Sequence, residues 1–216
     1  MAWVYVDTEI NKLMTQIECF FDCSSPWTYM GFERLLKLQA NSDFEIVWKP
    51  ILVGGVFNEV NQSLYEARES MFNNERRMTA FMKDLQDWAN YCDITIGWPD
   101  FHPVNSVKAM RGCFVALEQG KLVDYARAVF KAYWTDLRDI SSDAVLLEIC
   151  TEVGINGSDL LGKIASPSYK DQLRACTNEL IARGGYGSPT FYIGKDDMYF
   201  GNDRIPLIER VLQHRS

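Results

Sequence analysis

From about residue 64 to residue 183 the hydrophobic pattern keeps a helical period, and strand-like segments stand only before and after that stretch. A chain ordered this way has to complete one sheet from two ends that the whole helical block separates. Ahead of the block, IECFFD (17–22) reads as a buried strand and Pro26 to about Ala40 as a helix with Met30, Leu35, Leu36 and Leu38 available for packing. FEIVWKP (44–50) alternates cleanly and stops at Pro50. That β-α-β order predicts a parallel pair with a right-handed crossover. Within the block, NERRMTAFMKDLQDWANYC puts Met78, Phe81, Met82, Leu85, Trp88 and Ala89 on one stripe, and further helices are predicted over 105–119, 121–135, 142–153 and 167–183. Ser141 and Ser166-Pro167 are start signals, and Gly154 and Gly184 are stops. TFYIG (190–194) and MYF (198–200), joined by KDD, predict an antiparallel hairpin, followed by a helix from about Arg204 to Gln213. The expected architecture is α/β with residues 16–63 and 184–216 in one domain and an all-helical subdomain, 64–183, inserted between them. Residues 1–13 precede the first convincing strand and are treated as an extension outside the fold.

Composition narrows the function classes. A formal net charge of −7 leaves no basic surplus to displace counterions from a nucleic-acid backbone. No stretch approaches the roughly 20 apolar residues that span a bilayer. The N-terminus lacks the cationic start and apolar run of a signal peptide, so the cytoplasm is the expected compartment. The six cysteines show neither a Cys-x-x-Cys pair nor metal-ligand spacing, and they read as reduced thiols filling the core. Cys19 and Cys23, four apart in a strand, would stand roughly 13 Å from each other, beyond the ~7 Å that a disulfide tolerates. With only two histidines, His102 and His214, a zinc site is poorly supplied, and no metal is expected.

Three segments carry candidate chemistry. Ser25-Pro26 follows the first strand, so a serine cap and a proline at the first helical turn sit where open α/β sheets bind ligands. A cap alone would explain the pair equally well. GGYGSPTFY (184–192) puts Ser188-Pro189 before the third strand; a cis bond there would present the Ser188 backbone N–H and C=O to an extended peptide. FGNDRIPLIERVL (200–212) offers Asn202 or Asp203 as a helix cap, and Arg204 at a helix start calls for a charge partner. That mixed cluster would also suit a small zwitterionic peptide.

Ser25-Pro26 after a strand, WKPILVGGVF, GSPT and GNDR occur in the order seen in the DsbA-like family of kappa-class glutathione transferases and 2-hydroxychromene-2-carboxylate isomerases, which the chain resembles over about residues 16 to 213. The resemblance implies a glutathione-binding, thioredoxin-like sheet with a large inserted helical subdomain, in a homodimer. It implies that Ser25 contacts the glutathione sulfur, that Pro26 and Trp27 edge the site, and that Ser188, next to Pro189, meets the cysteinyl backbone. Asn202 and Asp203 match contacts to the γ-glutamyl end, and Asn61 matches a loop asparagine on the tripeptide, with Asn58 a competitor in NEVNQS. Arg77 stands roughly where the family has a lysine near the glycyl carboxylate. The partners implied are glutathione and a small aromatic or electrophilic substrate. GNDR is closer to the isomerase branch than to the GSDR of the transferases, so the expected reaction is cis-trans isomerisation of an aromatic oxo-acid by reversible thiolate addition. A transferase and a non-catalytic glutathione-binding protein are the alternatives. Trp27, Phe57 and Trp98 are candidate substrate walls, or simply core, and Asn105 is either a pocket residue or a helix start.

A thiol site without its own thiol is coherent on these terms. Lowering the thiol pKa by about two units from about 8.5 takes roughly 2.7 kcal/mol. A helix N-terminus gives up to ~2 kcal/mol and a hydroxyl bonded to an anion about 1.5–3 kcal/mol, which together suffice without a histidine base. Ser25 and Thr28 occupy the two positions at which a disulfide oxidoreductase would carry cysteines. Serine hydrolysis lacks the G-x-S-x-G elbow, with His102 its one credible base.

Overall fold

A computed structural model describes residues 14–63, 67 and 73–215. The extension at 1–13 and the start of the helical block at 64 fall outside them. The opening β-α-β unit is β1 (Thr15–Phe21), α1 (Pro26–Gln39) and β2 (Phe44–Pro50). β1 and β2 are parallel, in a register that sets Thr15 opposite Phe44 and Phe21 opposite Pro50. The last part of the chain supplies β3 (Thr190–Ile193) and β4 (Asp197–Phe200), a 3-10 turn over Asn202–Arg204, and a final helix (Ile205–Arg215). β3 runs antiparallel to β1, and β4 antiparallel to β3, giving the order β2-β1-β3-β4.

The central position of β1 explains its apolar run. With neighbours on both edges and cover on both faces, its alternate side chains enter two different cores. Ile17, Cys19 and Phe21 join the large core with Phe32, Leu35 and Phe130, whereas Phe20 joins a smaller one with Ile51, Val56, Leu180 and Tyr192. Glu18 shares the Phe20 side and meets Arg183 at 2.6 Å and Lys49 at 3.5 Å.

Between the sheet segments lie α2 (Val53–Val60), α3 (Glu75–Tyr91), α4 (Val107–Glu118), α5 (Leu122–Phe130), α6 (Asp143–Val153), α7 (Gly157–Ala165) and α8 (Pro167–Ala182). α2 and α7 are not marked as helices in the sequence pattern, because Gly54, Gly55, Gly157 and Gly162 weaken their propensity. Their apolar faces hold them instead: Val53 and Val56 are buried on α2, Leu160 and Ile164 on α7. The segment predicted as one helix over 121–135 leaves α geometry at Lys131 and ends in a π turn, Lys131–Thr135, with Tyr133 and Trp134 buried. Ser142 rather than Ser141 begins α6; the Ser141 N–H donates to Asp139 Oδ1 instead. Gly154 stops α6 in the left-handed region at φ 70°, where a side chain would be strained. On α3 only Leu85 and Ala89 of the predicted stripe are buried, and Phe81 is left partly exposed beside the first turn of α1.

Candidate active site at the start of α1

The first turn of α1 lies just past the carboxyl end of β1. Ser25, in extended backbone at φ −108° and ψ 124°, caps the helix through its hydroxyl oxygen, which accepts from the Thr28 N–H at 3.2 Å. The Ser25 hydroxyl reaches the Ser188 carbonyl only at 3.5 Å, at the outer limit of a hydrogen bond, so its proton can turn to a ligand at small cost. Pro26 has no N–H to satisfy. Among the described residues no acceptor meets the Trp27 or Ser188 backbone N–H.

Buried bonds fix these groups. Thr28, fully buried, shares a 2.8 Å hydrogen bond with the Ser188 hydroxyl, and that hydroxyl accepts from the Asp22 N–H at 3.1 Å. The Ser188–Pro189 peptide is cis, as expected from its place before β3. Beneath them Asp22 is wholly buried and ties three segments together, accepting from Ser24 N–H at 2.9 Å, Val53 N–H at 2.8 Å and the Ser106 hydroxyl at 3.1 Å. Burial pushes its carboxyl pKa up, and the bonds from Ser24, Val53 and Ser106 oppose that rise. Asp22 was not singled out in the sequence; its one local signal is an acid closing an apolar run.

Ser25 opens on a cavity of about 390 Å³, within the range of small-molecule sites. Ser24, Pro26, Trp27 and Ser188 line it beside Ser25, and the expected walls Phe57 and Trp98 line it as well. Phe81 bridges the two tryptophans, with ring centroids 5.9 Å from each. Tyr186, Phe200, Val53 and His102 are lining residues that their own local sequence does not mark. Asn61 lines the cavity and donates from Nδ2 to the Tyr186 carbonyl at 3.1 Å, whereas the competitor Asn58 does not line it.

The remaining expected contacts lie elsewhere. The Asn202 side chain is buried, and its Oδ1 and main-chain oxygen both accept from Arg34 Nη1, at 2.9 and 2.6 Å. Arg34 itself lies over the Trp88 and Tyr91 rings. Asp203 is exposed and forms an ion pair with Arg204 at 3.3 Å, the partner that the arginine's position called for. Arg77 is exposed in the first turn of α3, where its N–H donates to the Asn74 cap. None of these three lines the cavity. Asn105 takes the helix-start role, its Oδ1 accepting from Val107 N–H at 3.1 Å. Cys23 is fully buried with its thiol pKa pushed well up, first by burial and then by Cys113 and Asp22, so it offers no thiolate beside Ser25.

A model of the DSBA-like thioredoxin domain matches residues 16–213. The chain belongs to that family. Among relatives of this DSBA-like protein, Glutathione S-transferase kappa 1 of Homo sapiens is 27% identical, over 94% of this chain and 93% of its own. The 2-hydroxychromene-2-carboxylate isomerase of Pseudomonas sp. (strain C18) is 24% identical, over 94% and 92%. A solved structure of a 2-hydroxychromene-2-carboxylate isomerase superposes with a TM-score of 0.78 at 23% identity, covering 92% of this chain and 95% of that one. The DSBA-like fold therefore extends through the helical insertion, and the relatives it brings are enzymes named for isomerisation and glutathione transfer.

Proposed function

We propose that the chain is a glutathione-dependent isomerase of a planar aromatic oxo-acid, with Ser25 stabilising the glutathione thiolate. One observation carries this reading. A helix N-terminus capped by a hydroxyl with a loosely held proton opens into an aromatic cavity whose described lining contains no protein thiol. A site so built stabilises an anion that arrives with its ligand.

The residues present fit the tripeptide. The Ser188 N–H, without an acceptor among the described residues, suits pairing with an extended backbone. Asn61 holds the neighbouring loop through Tyr186. Asp203, exposed on the turn after Phe200, is the candidate for the γ-glutamyl amino group. Asn202 would act from beneath it, by holding Arg34. When bound, glutathione supplies the nucleophilic thiolate that makes a conjugated double bond transiently rotatable. The chain's own residues do the rest. The Ser25 hydroxyl donates to the sulfur, and the Trp27 N–H at the positive end of α1 adds a second donor. Trp27, Phe81 and Trp98 flank a planar ring and exclude water, which strengthens both donors. The thiol of Cys23 is buried and Thr28 is bonded to Ser188, so neither supports exchange of a disulfide at this site.

Glutathione transfer is the second reading, favoured by the 27% identity to a kappa-class relative. The experiment is to incubate purified protein with glutathione and cis or trans aromatic oxo-acids, following isomer ratio and free thiol together. Isomer interconversion at constant thiol is expected. Stoichiometric thiol loss into an adduct would replace isomerase by transferase. Calorimetric binding of glutathione with no turnover across the panel would leave a binding protein.

A further inference from the structure

One face of α8 lines a second cavity, of about 250 Å³, through Lys170, Leu173, Arg174, Thr177, Asn178 and Ile181, residues three or four apart along one side of the helix. Leu52, Gly55 and Glu59 close it from the start and body of α2, and Val107 and Arg111 from the first turns of α4. No residue lines both this cavity and the one at Ser25. Val53 and Phe57 line the Ser25 cavity, so α2 stands between the two.

Its charge runs against that of the chain. Three bases and one acid, the exposed Glu59, line it, whereas the whole chain has a formal net charge of −7. Nor are the bases neutralised locally. Lys170 and Arg111 form no ion pair among the described residues, and Arg174 meets only Asp171, at 3.9 Å. Arg111 is half-buried, and its Nη1 donates to the Ile164 carbonyl at 3.0 Å. Its buried Nε has no acceptor, and Nη2 has none among the described residues. A guanidinium partly withdrawn from water without a carboxylate beside it lacks both countercharge and hydrogen bonds, and its outer nitrogens are shaped to take a carboxylate. The remaining walls say what that carboxylate is attached to. Leu173 is buried, and the buried Thr177 hydroxyl is already occupied, accepting from Leu52 N–H at 3.0 Å and donating to the Leu173 carbonyl at 2.8 Å. Leu52, Val107, Leu173 and Ile181 therefore offer side-chain hydrocarbon, which suits an apolar body and gives nothing to the further oxygens of a phosphate.

We propose that the cavity between α2, α4 and α8 is a second ligand site, for a small carboxylate on an apolar body, with Arg111 pairing the carboxylate and Lys170 and Arg174 adding positive charge at the exposed rim. Its volume falls below the ~300–1,000 Å³ of sites for drug-sized molecules, so the body it takes is no larger than a single ring or a short chain. The proposal does not rest on the thiolate reading of Ser25, and its test uses no glutathione.

The probe is benzoate, titrated calorimetrically into the full chain at pH 7 and low salt, with benzamide as its uncharged counterpart. Benzoate should bind, and benzamide at least about tenfold more weakly. Arg111→Gln, which keeps a side-chain N–H for the Ile164 carbonyl but no charge, should weaken benzoate about tenfold. Lys170→Glu should weaken it severalfold, and because Lys170 is exposed this variant decides the matter should Arg111→Gln fail to fold. Added salt should weaken binding in wild type more than in either variant. Trp27→Ala, which alters only the Ser25 cavity, should leave benzoate affinity unchanged. Absence of benzoate binding to wild type overturns the proposal, as does wild-type affinity in Lys170→Glu together with a folded Arg111→Gln. Loss of affinity in Trp27→Ala alone would put benzoate in the Ser25 cavity and overturn it too. Inorganic phosphate that binds more tightly than benzoate and displaces it would refute the apolar body as part of what the site recognises.

Discussion

Replacing Ser25 by alanine removes one oxygen atom with two separable jobs. As a helix cap it accepts from Thr28 N–H at 3.2 Å, but the same N–H also reaches the Ser25 carbonyl at 3.2 Å. Loss of the cap should therefore cost toward the lower end of about 0.5–2 kcal/mol. As a donor to a bound thiolate, the hydroxyl contributes about 1.5–3 kcal/mol, and dividing by about 1.36 kcal/mol per unit predicts a rise of about 1–2 units in the pKa of bound glutathione. The assay follows the ultraviolet absorbance of the thiolate against pH at saturating glutathione, beside a urea denaturation curve for each protein. Ser25→Thr is the control, because its hydroxyl survives and extended backbone at φ −108° accepts a β-branched side chain. Alanine should move the titration far more than it moves the denaturation midpoint, and threonine should move neither much. If the thiolate titrates at the same pH in wild type and alanine variant, the hydroxyl does not stabilise the sulfur and the reasoning fails.

Asp22 gives a pH prediction. Burial raises its carboxyl pKa in the folded chain above the unfolded value of about 3.9, so the native state holds the proton more tightly. Its contribution is most favourable below the unfolded value and declines as pH rises through the folded one. The stability difference between wild type and Asp22→Asn should therefore shrink or reverse from about pH 4 to pH 7, and urea midpoints that shift in parallel would contradict this. Gly31→Ala would place a Cβ 2.9 Å from Pro189 Cγ and 3.4 Å from Phe191 Cζ. Overpacking of about 1–3 kcal/mol outweighs or matches the roughly 1 kcal/mol gained in helix propensity, and the pressure on Pro189 should also loosen Ser188. A higher melting temperature with unchanged glutathione affinity would show that the loop gives way freely.

The β-α-β opening and the closing hairpin were legible because their signals are local. A period of two in FEIVWKP, serine and proline at the start of α1, and turn residues between two short apolar runs each act within a few positions along the chain. Ser25, Pro26, Trp27 and Ser188 were legible for the same reason, since a cap or a pre-strand proline declares itself locally. α2 and α7 were not, because their glycines oppose helix formation and only the apolar faces buried at Val56 and Ile164 outweigh that preference.

By itself, then, the sequence determined the order of the strands and of the helices other than α2 and α7, the serine-capped entry to α1 and the missing pair of active-site cysteines. Tertiary structure decided what surrounds that entry: Phe81 from α3, His102 from the loop before α4, and Tyr186 and Phe200 from the far end of the chain converge on one cavity. It also decided that Arg34 and Asn202, 168 residues apart, would bond to each other. Propensity and capping act over one or two turns, whereas such convergence is fixed by how whole faces pack, and no short stretch contains that information.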